Sequence, residues 1–171
     1  VPLRLEQGTW DEFKPRLHPL KLWLRGAGVE EYYDLKVGLR DFKAVGKEFL
    51  LNDKPIIFRG THNGGDFPLT GYPPTDVSSW KQLFETCKRW GLNHMRFHSW
   101  TPPEAAFEAA DQVGFYLQPE PGMWNEISPD TPMERMLYEE TDRMIKAYGN
   151  HPSFMLLSPS NEPKGNWKEA L

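Results

Sequence analysis

Phe154-Met-Leu-Leu-Ser-Pro-Ser-Asn-Glu-Pro163 decides how this chain is read, because an apolar run passes straight into an Asn-Glu pair. Phe154 to Leu157, bounded by His151-Pro152 before and Pro163 after, suits a strand buried on both faces, as the strands of a parallel sheet are. Glu162 then emerges where that strand ends. In parallel β/α architectures the chemistry gathers at the carboxyl ends of strands, so Glu162, preceded by the hydrogen-bonding Asn161, is a candidate general acid. The plainer alternative is a strand-terminal Glu that caps the next helix.

Working back from this stretch, strands and helices alternate. Pro55-Ile-Ile-Phe-Arg59, ended by Gly60, predicts a first barrel strand, and a Gly- and Pro-rich loop runs from Thr61 to Asp76. Trp80, Leu83, Phe84, Cys87 and Trp90 recur at helical spacing until Gly91. His94-Met-Arg-Phe97 predicts the second strand. Thr101-Pro-Pro-Glu104 reads as a capping box opening a helix to Val113 and Gly114, followed by a third strand at Phe115-Tyr-Leu117. Thr131-Pro-Met-Glu134 repeats the device, with Met133, Leu137, Met144 and Tyr148 on one face up to Gly149-Asn150, and Trp167 starts a further helix. This rhythm predicts an α/β parallel sheet, either doubly wound or part of an eightfold barrel. Gly60-Thr-His-Asn-Gly-Gly65 does not fit the G-x-G-x-x-G spacing of a dinucleotide fold, so the expected class is a (β/α)8 TIM barrel, first half only, over 43–171.

Residues 1–42 alternate differently. Leu3, Leu5, Leu20 to Leu24, a Gly26-Ala-Gly28 turn and Tyr33 to Val37 predict short antiparallel strands with one buried face, the end of a β-sandwich. From Arg40 to Asp53 a small hairpin with an Asn52-Asp53 turn joins the two parts, with the boundary near residue 43.

With 171 residues, 39% of them hydrophobic, the chain can bury one ordinary core. Its net charge is −4, with Lys and Arg scattered among Asp and Glu, so neither nucleic acid nor an anionic membrane is expected as a partner. The one cysteine, Cys87, falls on a helix face and predicts a core thiol without a disulfide. No apolar run of spanning length and no leader pattern is expected, and the compartment stays open, periplasm and secretion included.

The predicted strand ends carry His62 and Asn63, then His98, then Glu120, then Asn161 and Glu162. A lone His is more often structural than catalytic, but four strands delivering polar groups to one rim predict a cleft on which Asn63, His98, Glu120 and Glu162 converge. Trp100, Trp124 and Trp167 stand beside them, and indole plates suit stacking on sugar rings, although each could equally be lid or core. A metal hydrolase using His62, His98, Glu120 and Glu162 is a rival reading. Barrel hydrolases of that type carry His-x-His on the first strand, whereas Asn63-Gly64 follows His62 here, so no metal or other cofactor is expected. A non-catalytic carbohydrate-binding relative is the other rival.

Leu51-Asn-Asp-Lys-Pro-Ile-Ile-Phe-Arg-Gly60, Gly91-Leu-Asn-His-Met-Arg-Phe-His-Ser99 and Gly149-Asn-His-Pro-Ser-Phe154 through Asn161-Glu162 resemble glycoside hydrolase family two, which includes β-galactosidases, β-glucuronidases and β-mannosidases. Trp10-Asp-Glu-Phe-Lys-Pro-Arg-Leu17 and Val37-Gly-Leu-Arg40 look like the closing strands of its immunoglobulin-like sandwich domain. The resemblance implies a retaining, exo-acting β-glycosidase acting on a terminal β-linked sugar. Asn161 would hold the 2-hydroxyl, Glu162 would be the general acid/base, and the nucleophilic Glu would stand on a later barrel strand outside this chain. Carbohydrate is thus the expected partner, and assembly with further copies of the chain is left open. The pattern departs from better-known members at Thr61-His-Asn-Gly-Gly-Asp66, at Pro119-Glu120 in place of Asp-Glu, and at Ser160 in place of Gly, so the sugar stays unassigned.

Overall fold

The computed structural model describes residues 8–170. From the amino end it has an antiparallel ribbon of β1 (His18–Gly26) and β2 (Val29–Val37), then an antiparallel meander of β3 (Phe42–Val45), β4 (Glu48–Leu51) and β5 (Lys54–Ile56). Parallel strands β6 (Gly60–Asn63), β7 (His94–Phe97) and β8 (Tyr116–Gln118) follow, interleaved with α1 (Val77–Arg89) and α2 (Glu104–Val113) and trailed by α3 (Pro132–Tyr148) and α4 (Trp167–Ala170). The sheet order β6-β7-β8 follows the chain order without the reversal of a doubly wound fold. It is an arc of a β/α barrel.

Strand alternation separates the two faces of this arc. Met95 and Phe97 of β7 and Leu117 of β8 point to the helices and share a core with Trp80, Phe84, Phe107 and Phe115. His94, Arg96 and the following His98 take the opposite, inner face, level with Tyr116 and Gln118. The helices are placed by their caps. Asp76 accepts from the Ser79 amide to start α1, and after Arg89 the amides of Gly91 and Leu92 turn back to Lys88 and Cys87, with Gly91 at φ +80°. Thr131 accepts from the Glu134 amide at 3.2 Å to start α3, as the spacing predicts. Cys87 is half-buried against the core, and burial pushes its thiol up.

Four expectations are corrected. The run Pro55 to Arg59 is not a barrel strand. Asn52 and Asp53 both adopt positive φ, a two-residue turn that sends β5 back antiparallel along β4, and the parallel strand is the next segment, Gly60–Asn63. Ile56 and Phe58 instead fill the base of the arc with Trp10, Phe42 and Tyr116, while Ile57 is 74% exposed. The segment from Phe154 to Leu157 meets β8 through a single parallel bridge, Leu117 to Phe154, because β8 is cut short by Pro119, which cannot donate to a ladder. Trp90 does not extend the α1 stripe; it is the C-cap residue and is 82% exposed. The N-cap of α2 is Pro103, since the Thr101 hydroxyl is spent on the Glu120 carbonyl at 3.1 Å.

The ribbon confirms the turn at Ala27 and Gly28 but leaves Trp23, Leu24 and Tyr32 exposed, with no second sheet over it among the described residues. Leu3 and Leu5 lie outside those residues. Trp10 is fully buried: its indole N–H donates to the Asp111 carbonyl at 2.8 Å and its ring meets Tyr116 edge-on. Arg40 donates to the carbonyls of Pro152 and Phe154, each at 2.7 Å, tying the junction to the segment that leads to Glu162. Among the described residues no helix is long and apolar enough to cross a membrane.

Candidate active site

Every strand of the arc ends on the same rim. His62 and Asn63 are the last residues of β6, His98 follows β7, Glu120 follows β8 by two residues, and Asn161-Glu162 follows the bridged segment. The rim is held together by one charge, Arg96. Its guanidinium pairs with Glu120 through Nε, and through Nη2 donates to Asn161 Oδ1 at 2.9 Å. Glu120 is fully buried, and its second oxygen accepts from the Ser99 amide at 2.8 Å. Ser99 reaches that position by adopting φ +61°, unusual for a residue with a Cβ. Glu120 therefore acts through Arg96 and Ser99.

Asn161 is fixed at both ends, since its amide donates to the Met123 carbonyl at 3.2 Å while Arg96 holds its side-chain oxygen. The group it can offer a ligand is its NH2, a donor suited to a hydroxyl. Glu162 is exposed, lies at φ +44°, and accepts from the Trp124 indole N–H at 3.3 Å. The Trp124 ring in turn meets His98 edge-on at 4.7 Å. His62 is exposed, 6.2 Å from His98 between ring centroids. Arg96, His98, Asn161, Glu162 and Trp124 thus form one connected patch, with Glu120 beneath it.

Asn63 and Trp100 are tied into the loop after β6. The Asn63 side chain accepts from Gly65 N at 2.8 Å, its carbonyl accepts from the Trp100 indole at 2.9 Å, and the Trp100 ring packs edge-on against Phe97 and Phe67. They shape a shallow depression of about 360 Å³ walled by Gly65, Phe67, Pro73, His98, Trp100 and Trp124. A cleft of about 450 Å³ between β2 and α2 carries the carboxylates Glu104 and Glu108 but none of the rim residues. Trp167 opens α4, with Lys168 over its ring at 5.7 Å. Among the described residues no group of His, Cys, Asp and Glu is arranged to hold a metal ion.

The residues that sequence reasoning missed are Arg96, Ser99 and Met123. The alternation His94-Met-Arg-Phe-His98 sets Arg96 on a polar strand face, the one signal that could have pointed to it, but the pattern is the same for a face that meets solvent. Ser99 and Met123 act through backbone atoms, and no side-chain pattern announces them.

The chain matches the family described as glycosyl hydrolases family 2, TIM barrel domain, over residues 42–170. It is 27% identical to a β-galactosidase of Staphylococcus xylosus over 149 residues, covering 78% of this chain and 15% of that protein. It is 28% identical to a β-glucuronidase of Mus musculus over 149 residues, covering 83% of this chain and 22% of that one. Among solved structures, an apo β-glucuronidase of Ruminococcus gnavus superposes with a TM-score of 0.82 at 25% identity, covering 92% of this chain and 27% of its own. The arc is therefore a partial TIM barrel, and the chain spans less than a third of each of these three proteins. A family match that begins at the first residue of β3 and runs to the last described residue places this chain in glycosyl hydrolase family 2.

Proposed function

We propose that this chain is the first half of the catalytic barrel of a retaining, exo-acting β-glycosidase, preceded by the end of an immunoglobulin-like sandwich, with Glu162 as general acid/base. The observation that carries the reading is the pairing of an exposed rim carboxylate, Glu162, with an adjacent Asn161 immobilised by Arg96. A proton donor must reach the leaving oxygen from a solvent-facing side, and its neighbour must hold the sugar without shifting. Asn161 offers its NH2 to a ring hydroxyl, and the His98 imidazole stands at the same rim.

A retaining mechanism needs a second carboxylate about 5–5.5 Å from the first. Glu120 is unsuited to that task, because it is fully buried and both its oxygens are engaged by Arg96 and Ser99. The nucleophile is assigned to a later barrel strand, outside these residues. The same engagement argues against Glu120 as a metal ligand, since a cation there would have to displace Arg96.

In this mechanism the Glu162 proton passes to the glycosidic oxygen as the nucleophile attacks the anomeric carbon. The resulting carboxylate then takes a proton from the incoming water, which releases the sugar with its configuration retained. Glu162→Gln in the full-length protein therefore should cripple glycosides with poor leaving groups and spare the first step for activated aryl glycosides, so that a burst of phenol precedes the stall. Equal loss on both substrate types without a burst, or an inverted product from the wild type, would refute the assignment.

A further inference from the structure

We propose that Trp124 is a positioning residue for the Glu162 carboxylate, an inference that rests on the acid/base reading of Glu162. Glu162 belongs to no helix or strand and sits in a left-handed backbone conformation, so nothing regular directs its side chain. What directs it is the loop after β8. The Asn161 amide donates to the Met123 carbonyl at 3.2 Å, the Lys164 amide to the Asn125 carbonyl at 3.3 Å, and the Ile127 amide to the Lys164 carbonyl at 3.0 Å. A parallel bridge joins Glu126 to Lys164. Met123 and Ile127 are buried in a core with Leu137 and Ala170, so the loop is anchored on both sides of Trp124. The contact is close enough that a Cβ on Gly165 would lie 2.7 Å from the Ile127 carbonyl.

Trp124 thus projects from a fixed frame with its ring braced against His98, and its indole N–H donates to Glu162 Oε2. An indole is a donor only and keeps its proton, so it can orient a carboxyl group without entering the proton transfer. With Oε2 occupied, Oε1 is the oxygen that carries the proton to the leaving group and later receives one from water. The N–H of Trp124 is unchanged throughout.

The test uses the full-length protein on a matched pair of 2,4-dinitrophenyl and methyl β-glycosides, galactosides or glucuronides according to which the wild type cleaves. Trp124→Phe keeps the ring and removes the donor. The expected result is a fall of about tenfold in kcat on the methyl glycoside, with KM, Tm and the burst-phase rate on the dinitrophenyl glycoside within about twofold of wild type. Adding Trp124→Phe to Glu162→Gln should cost nothing further on the methyl glycoside, because the indole acts only through the carboxyl group. A rise in KM with kcat kept would make Trp124 a sugar platform. Equal loss on both substrates with a lowered Tm would make it part of the fold alone, and no change would leave it idle; each overturns the proposal. If Glu162→Gln also spares the methyl glycoside, or the wild type cleaves neither sugar, the acid/base reading falls first. If Glu162→Gln is crippled and Trp124→Phe is not, only this inference falls.

Discussion

At the scale of single residues, the candidate site is an arrangement of one cation and several groups that depend on it. Arg96 is the charge that makes a fully buried Glu120 tolerable and the donor that fixes Asn161. Removing one partner of such a pair leaves an uncompensated buried charge, so Arg96→Met is expected to cost about 3–5 kcal/mol in urea unfolding of the full-length protein. The Arg96→Met, Glu120→Met double variant should regain most of that loss. If the single variant unfolds like an ordinary surface substitution, Glu120 finds other compensation. His94, on the same face one turn of the pleat below, is 7% exposed beside Phe58, and burial pushes its imidazole from 6.5 down to about 4. The folded state then binds that proton more weakly than the unfolded chain. Stability is complete above pH 6.5 and lost as pH falls toward 4, by on the order of 3 kcal/mol. His94→Phe should flatten that part of the pH dependence of the urea midpoint; an unaltered slope would assign it to other groups. Asn161 and Glu162 were legible in the sequence because an apolar run bounded by prolines leads to them. Arg96 was not, because the pattern of one strand does not say whether its polar face meets solvent or another polar group.

At the scale of elements, the helices were legible because their ends are written in capping and glycine chemistry. Asp76, Thr131, Gly91 and Gly114 stand where the helices start and stop. The β5 and β6 assignment was not, since an apolar β-branched run such as Pro55 to Phe58 fits a base-filling segment as well as a barrel strand, and the deciding turn at Asn52-Asp53 lies outside it. Gly114 shows how far an element end can be constrained. It lies at φ +73°, and a Cβ there would meet the Glu12 carbonyl at 2.8 Å. Lys88 gathers the carbonyls of Glu12, Val113 and Gly114 at the same point. Gly114→Ala is therefore expected to cost about 2 kcal/mol or more, from the left-handed penalty and the contact together, against about 1 kcal/mol for Thr131→Ala. Thermal melts of the two variants side by side decide it, and a Gly114→Ala loss no larger than that of Thr131→Ala would mean that the Glu12 segment yields.

At the scale of the whole molecule, the arc has open edges. β6 pairs on one side only, and the apolar residues Trp23, Leu24 and Tyr32 of the ribbon are uncovered among the described residues. Unpaired strand edges and exposed apolar surface favour association. The 171 residues expressed alone should accordingly run above monomer mass in light scattering coupled to size exclusion, and a clean monomer that hydrolyses aryl β-glycosides would contradict both this expectation and the assignment of the nucleophile. The anchoring of Arg40 has a further consequence, one of timing. Its carbonyl partners at Pro152 and Phe154 lie 112 and 114 residues downstream, and burial disfavours its charge. A ribosome adds about 5–20 residues per second, so the guanidinium waits on the order of 6–22 s, hydrated, before Pro152 has even been synthesised. The base of the arc is thus sealed late, by the same stretch of nascent chain that delivers Glu162.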